Sequence, residues 1–224
     1  MPTSLLLEVC VTSAEQAAAA VAAGADRLEL CRALEVGGVT PARDVFVRTL
    51  NAGLPVCVLV RPRAGNFVYT PTEFRELRRD TDWFLSHGAT AVVVGALTTT
   101  GELDRDRCAE LVRAADGQAV LHRCFDELAD LHAGLDMAID LGFTRVLTSG
   151  GAATAAEGTT ALQALVRRAA GRVAVLPGGG VGPGNVAALV RATGCAEVHG
   201  SFGGADPATV VAVRTELDRL AVTP

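Results

Sequence analysis

Eight short apolar runs, spaced by helix-patterned stretches, are what most restrict the fold of this 224-residue chain. The spacing averages roughly 28 residues, and an even strand-helix alternation of that period calls for a parallel sheet. The runs begin near Leu5, Arg27, Pro55, Thr90, Gln118, Thr144, Arg172 and Ala196. Gly24, Gly53, Gly88, Gly117, Gly142, Gly171 and Gly194 stand just ahead of seven of them, where a left-handed residue ends a helix before a tight loop. Thr40-Pro41, Thr70-Pro71 and Asp206-Pro207 each put a capping oxygen before a proline and are expected to open helices. Eight such units favour a closed barrel over an open doubly wound sheet, which would carry a dominant glycine-rich loop after its first strand; "CVTSAEQ" is not one. The expected fold is therefore α/β, a TIM-like (βα)8 barrel, as a single domain over residues 1–224.

Alternate residues of a strand share a face. In the first run Glu8 and Cys10 go together against Leu7, Val9 and Val11, and in the second Arg27, Glu29 and Cys31 oppose Leu28 and Leu30. Helices need the apolar set to pack on, so the Glu-x-Cys set is assigned to the barrel interior, joined by Cys57, Leu59 and Arg61 from the third run and by Glu197, His199 and Ser201 from the eighth. Barrel interiors are usually filled with Val, Ile and Leu. Buried charges are costly unless paired, so Glu8 and Glu29 are expected to face Arg61, and Arg27 as well, with the carboxylates one layer below the thiols.

Chemistry-bearing residues gather at the C-terminal strand ends, where such barrels keep their sites. Cys10 and Cys31 end adjacent strands in matched phase, so they form either a soft ligand pair suited to Cu(I) or two small packed thiols. "TSGGAAT" with Ser149, "PGGGVGPGN" with Gly178, Gly179 and Gly180, and "HGSFGG" with His199, Gly200 and Ser201 offer backbone N–H groups to an anion, and Arg61 and Arg63 add forked donors. The same glycines also suit plain sharp turns. "LHRCFDE" sets His122, Arg123 and Asp126 together, either as an acid/base pair with an oxyanion-stabilising arginine or as an ion-paired cap on the mouth.

The formal charge of −5, without a basic block, gives no footprint for nucleic acid or an anionic membrane. No apolar run approaches the ~18 residues of a spanning helix and no signal peptide is read, so a cytoplasmic location is expected. The six cysteines include no CxxC pair and are expected as thiols.

In the stretches "LEVCVTS", "GADRLELC", "GGVTP", "VLVRPRAGNFVYT", "VVVGALTTTGELD", "LHRCFDE", "RVLTSGGAAT", "VLPGGGVGPGNV" and "EVHGSF" the chain closely resembles the CutC family, named for copper homeostasis. The resemblance implies a TIM-like barrel, a cytoplasmic and usually homo-oligomeric protein, and Cu(I) held at the barrel mouth. Carried over, the copper thiolates correspond to Cys10 and Cys31, and Glu8, Glu29, Arg61, Arg63, His122, Arg123, Asp126 and His199 fall in the family's polar pocket. Thr12 stands where the family often has Asp, and Cys124 where it often has Ala. The alternative is an enzyme acting on a small anionic or phosphorylated metabolite through His122 and Asp126.

Overall fold

The computed structural model describes residues 5–222. Strands β1 (Leu6–Val11), β2 (Arg27–Leu30), β3 (Val56–Leu59), β4 (Ala91–Val94), β5 (Ala119–Leu121), β6 (Arg145–Thr148), β7 (Ala174–Pro177) and β8 (Glu197–Gly200) are all parallel. Between them run helices α1 (Ala14–Ala22), α2 (Arg43–Thr49), α3 (Pro71–Ser86), α4 (Arg105–Ala114), α5 (Leu131–Leu141), α6 (Thr159–Ala169) and α7 (Val186–Thr193), followed by the short α8 (Phe202–Ala205) and by α9 (Pro207–Val222). The hydrogen-bonded order is β7-β6-β5-β4-β3-β2-β1-β8, and β8 also lies against β7, so the sheet curls into a nearly closed TIM-like barrel.

Local signals set most boundaries. The seven pre-strand glycines all have φ between +71° and +102°, a region where a Cβ would be strained. Thr70 caps α3 reciprocally: its hydroxyl accepts from Glu73 N (3.3 Å), and the Glu73 carboxylate accepts from Thr70 N (2.7 Å), with Pro71 in the first turn. Asp206 accepts from Thr209 N in the same way ahead of α9. Thr40 differs from expectation. α2 begins at Arg43 after an extended Ala42, because the Thr40 hydroxyl is engaged elsewhere, accepting from Arg61 N (2.9 Å) and donating to Arg61 O (3.0 Å).

The two faces of the sheet carry two cores. Leu7, Val9, Val11, Leu28 and Leu30 point outward into the apolar layer under the helices, joined by Phe74, Leu77 and Phe84 of α3 and Val210, Val213 and Leu217 of α9. Inside the barrel, Cys10, Cys31, Cys57, Leu59, Ala91, Val93 and Val120 form a smaller cluster. Register aligns the interior residues across strands: Glu8 pairs with Arg27 on one side and His199 on the other, while Cys10 is level with Glu29, and Glu29 with Cys57. Glu29 therefore lies in the same row as the Cys10 thiol and not one layer beneath it, because the stagger of a barrel offsets equivalent positions of neighbouring strands.

Candidate functional site at the barrel mouth

Glu8, on β1, is a buried carboxylate of the barrel interior. Its carboxylate accepts from Arg27 Nε and bonds His199 Nδ1 (2.8 Å), and Arg27 Nη2 also reaches Glu197 (2.5 Å). Burial works to raise the Glu8 pKa, but the His199 bond and the Arg27 charge outweigh it and hold the carboxyl down at about 2. His199 is shifted the opposite way: burial disfavours its cation, while the charge of Glu29 and the Glu8 bond favour it and raise its pKa.

Above this network sit the thiols. Cys10 Sγ and Cys31 Sγ are 3.5 Å apart, at 2% and 1% exposure, and ligand atoms of Cys10, Glu29 and His199 all lie within 4.8 Å of one another. The bond to Cys31, burial and the nearby Glu29 carboxyl push the Cys10 thiol well up. Burial, together with the charge of Glu8, lifts Glu29 to about 7 against His199, Cys10 and Arg27, and its Oε2 has no hydrogen-bond partner among the described residues.

Arg61 is not the partner of Glu8 or Glu29. It stands past the end of β3, where its guanidinium donates to the carbonyls of Val36 (3.1 Å), Gly38 (3.0 Å) and Gly65 (2.5 Å) and lies 4.6 Å over the Phe67 ring. At 6% exposure it has no ion-pair carboxylate among the described residues, and its Nε is without a partner. Arg63 turns outward instead, bonding Glu73 (2.6 Å) and the carbonyls of Asn66 and Val68, so it ties its loop to the α3 cap and does not line the mouth.

Asp126 and His122 do not form the expected pair. Asp126 is held by Arg123 Nε (2.8 Å), the Thr148 hydroxyl (2.5 Å) and the backbone N–H groups of Ser149 and Gly151 (both 3.0 Å). Its oxygens organise the β6 loop, and Arg123 Nη2 extends the cluster to the Ser149 hydroxyl (2.8 Å). His122 Nδ1 instead accepts from Cys124 N (3.2 Å), which places the ring proton of the neutral form on Nε2. Burial and the charge of Arg61 push the His122 pKa down to about 3, so the ring is neutral at physiological pH; Nε2 has no hydrogen-bond partner among the described residues.

A cavity of about 740 Å³ opens at this mouth. Cys10, Glu29, Cys31 and His199 line it on the β1–β2–β8 side, Arg61, His122, Arg123 and Asp126 on the other, with Gly179, Gly180, Gly200 and Ser201 along the rim. Gly178 and Ser149 stay behind this lining: a Cβ on Gly178 would meet Leu147 and His199, and Ser149 is fully buried. Phe67, between Arg61 and the His122 ring (4.7 Å), is a lining residue that sequence reasoning missed. The available signal was an aromatic in a loop of a chain with only 4% aromatics. Cys124 packs into the apolar core, where burial raises its thiol pKa; His87 stacks on Trp83 at the end of α3 (4.0 Å).

The profile of the CutC family matches residues 5–204. A family protein CutC of Caulobacter vibrioides is 46% identical over 204 residues, covering 91% of this chain and 83% of the relative. The human copper homeostasis protein cutC homolog is 40% identical over 196 residues, covering 87% and 72%. The crystal structure of a CutC protein from Streptococcus agalactiae superposes with a TM-score of 0.81 at 31% identity, covering 88% of this chain and 98% of that one. A thiamine phosphate pyrophosphorylase from Pyrococcus furiosus, at 14% identity and a TM-score of 0.64, shares the fold alone. Matched along nearly its whole length by profile, sequence and structure, the chain belongs to the CutC family.

Proposed function

We propose that the protein serves copper homeostasis by taking up Cu(I) between Cys10 and Cys31 at the floor of the mouth. The observation that carries this is the 3.5 Å approach of the two buried sulfurs, a soft pair of the kind Cu(I) selects. With metal–sulfur bonds of about 2.3 Å, that separation closes a bent angle of roughly 100° and leaves a side open for a third donor. His199 and Glu29 stand in the same cluster to supply it. Both thiols must release protons to bind, and the raised Cys10 pKa makes uptake weaken in acid. The human relative, a copper homeostasis protein cutC homolog by name, supports the copper role. Cytoplasmic residence, in which six free cysteines stay reduced, and assembly into homo-oligomers belong to the same proposal. An anaerobic competition titration against a chromophoric chelator tests it. The intact chain is expected to take one Cu(I), and the Cys10→Ser, Cys31→Ser variant to bind at least ~100-fold more weakly while still folded; equal affinity of the two sinks the assignment.

A second reading is favoured by Arg61, a buried guanidinium with no ion-paired carboxylate among the described residues, in a cavity far larger than an ion requires. It makes the mouth a site for a small anionic organic molecule, bound and turned over. A thermal-shift screen of sugar phosphates and organic acids should find a saturable stabiliser that Arg61→Met abolishes. A screen without any stabiliser removes this reading.

A further inference from the structure

In the loop after β7 the carbonyls are engaged and the amides are not. Gly179 O accepts from Ala155 N (2.8 Å), Gly180 O accepts from Asn185 Nδ2 (2.8 Å), and Asn185 Oδ1 accepts from Gly182 N (2.9 Å), which pins the turn. The N–H groups of Gly179, Gly180 and Val181 have no hydrogen-bond partner among the described residues, and these residues line the cavity. Gly179 and Gly180 have φ of +96° and +72°. Successive amides in such a turn gather their N–H groups into a concavity that takes an anion. A cation is fixed against the same turn. Arg123 donates from Nε to Asp126 (2.8 Å) and from Nη2 to Ser149 Oγ (2.8 Å), which sets the guanidinium plane, while Nη1 has no partner among the described residues. A Cβ on Gly179 would stand 3.3 Å from Nη1 and 3.4 Å from Cζ, so the absence of a side chain there is what lets the guanidinium lie against the loop backbone. Asp126 does not compete for the place, because its oxygens already accept from Arg123, Thr148, Ser149 and Gly151.

We propose that the organic anion taken by the mouth is a small phosphate monoester, its phosphate seated on the Gly179, Gly180 and Val181 amides beside Arg123 Nη1 and its organic part extending through the cavity toward Arg61 and Phe67. This rests on the second reading above, that the cavity takes a small organic anion, and it adds to Arg61 a separate anchor for the phosphate. Donors arriving from two sides, the loop amides and the guanidinium, suit a tetrahedral group with three terminal oxygens. A planar carboxylate, with two oxygens, leaves part of that set unused. The loops after strands seven and eight are a recurrent phosphate seat in closed (βα)8 barrels. Arg61 follows β3, four strands round the sheet from β7, so a single inorganic anion does not reach both arginines. A molecule with an organic body does, and a cavity of about 740 Å³ holds one. Phe67, against Arg61, gives that body an apolar face to lie on.

The test uses the full chain, stripped of metal and desalted, with ribose 5-phosphate as the probe, ribonate as its carboxylate counterpart and inorganic phosphate as competitor. Binding is followed by NMR saturation transfer, and the seat by the backbone amide spectrum of isotope-labelled protein. Ribose 5-phosphate should bind saturably, at least ~10-fold more tightly than ribonate, and inorganic phosphate should displace it. The amide protons of Gly179, Gly180 and Val181 should move downfield together as it binds. Arg123→Met, with its fold checked by circular dichroism, should weaken binding ~10- to 100-fold. Should that variant fail to fold, the amide shifts of the unsubstituted chain decide alone. Binding of ribose 5-phosphate with those amides unmoved, equal binding of ribonate, or full affinity in a folded Arg123→Met overturns the inference and leaves the anion reading resting on Arg61. Absence of binding by both ribose 5-phosphate and ribonate overturns the inference and that reading together.

Discussion

Two three-strand sectors of the barrel interior are built on different principles. Around β3, β4 and β5 the inward residues are Cys57, Leu59, Ala91, Val93 and Val120, the short apolar filling expected of such a barrel. Around β8, β1 and β2 they are Glu197, His199, Glu8, Arg27, Glu29 and the Cys10 and Cys31 thiols. The first gains mainly from burial, with Arg145 of β6 reaching it through Nη2 at Cys57 Sγ (3.5 Å). The second desolvates charges, which is tolerable only where each has a partner, and it leaves Glu29 without one on Oε2. A fold with no other use for that side would have filled it with aliphatic residues. The polar sector is thus where burial is least favourable, and the two thiols lie within it.

Variants can break or sharpen this contrast. Arg27→Met strands Glu8 and Glu197 together without their cation and should cost about 3–5 kcal/mol in chemical denaturation. Leu59→Ala, in the apolar sector, should cost about 2–4 kcal/mol through the cavity it leaves. If Arg27→Met proves the milder of the two, the contrast fails.

The pH dependence of the metal-free protein sharpens the same contrast. Glu8 has its folded pKa lowered from 4.5 to about 2, so its contribution is complete above 4.5 and disappears as pH falls toward 2. Glu29 is raised from 4.5 to about 7, so its contribution is complete below 4.5 and is lost as pH rises through 7. Glu29→Gln should therefore gain up to about 3 kcal/mol on the intact chain between pH 5 and pH 8, measured by urea midpoints. No relative gain would mean that Glu29 ionises freely. His122 adds acid sensitivity: with a folded pKa near 3 against 6.5, the unfolded chain takes up a proton that the folded one refuses. His122 should add about 1.4 kcal/mol per pH unit to the loss of stability on acidification between those values, an increment absent in His122→Gln. The smallest effect lies outside the barrel, where Thr70→Ala should remove about 1 kcal/mol by opening the α3 capping box.

Much of this arrangement was legible in the residues. Strand alternation separated Leu7 and Val9 from Glu8 and Cys10, because a period of two fixes the face whatever surrounds it. The glycines and the Thr70 and Asp206 caps acted locally and were read correctly. What escaped depended on distant partners. Thr40 left its helix because Arg61, 21 residues on, took its hydroxyl. Arg61 itself was drawn to loop carbonyls near Gly38 and Gly65 instead of the acids below. Asp126 was captured by the β6 loop before it could reach His122. The row shared by Cys10 and Glu29 follows from barrel stagger, which no single strand encodes.

The copper assignment is tested most directly by X-ray absorption at the copper edge on the chain loaded anaerobically with one Cu(I). Two sulfur neighbours and one nitrogen or oxygen donor are expected, with the sulfur shell lost in the Cys10→Ser, Cys31→Ser variant. A copper shell made of nitrogen and oxygen alone, or sulfur neighbours that persist in that variant, would contradict it.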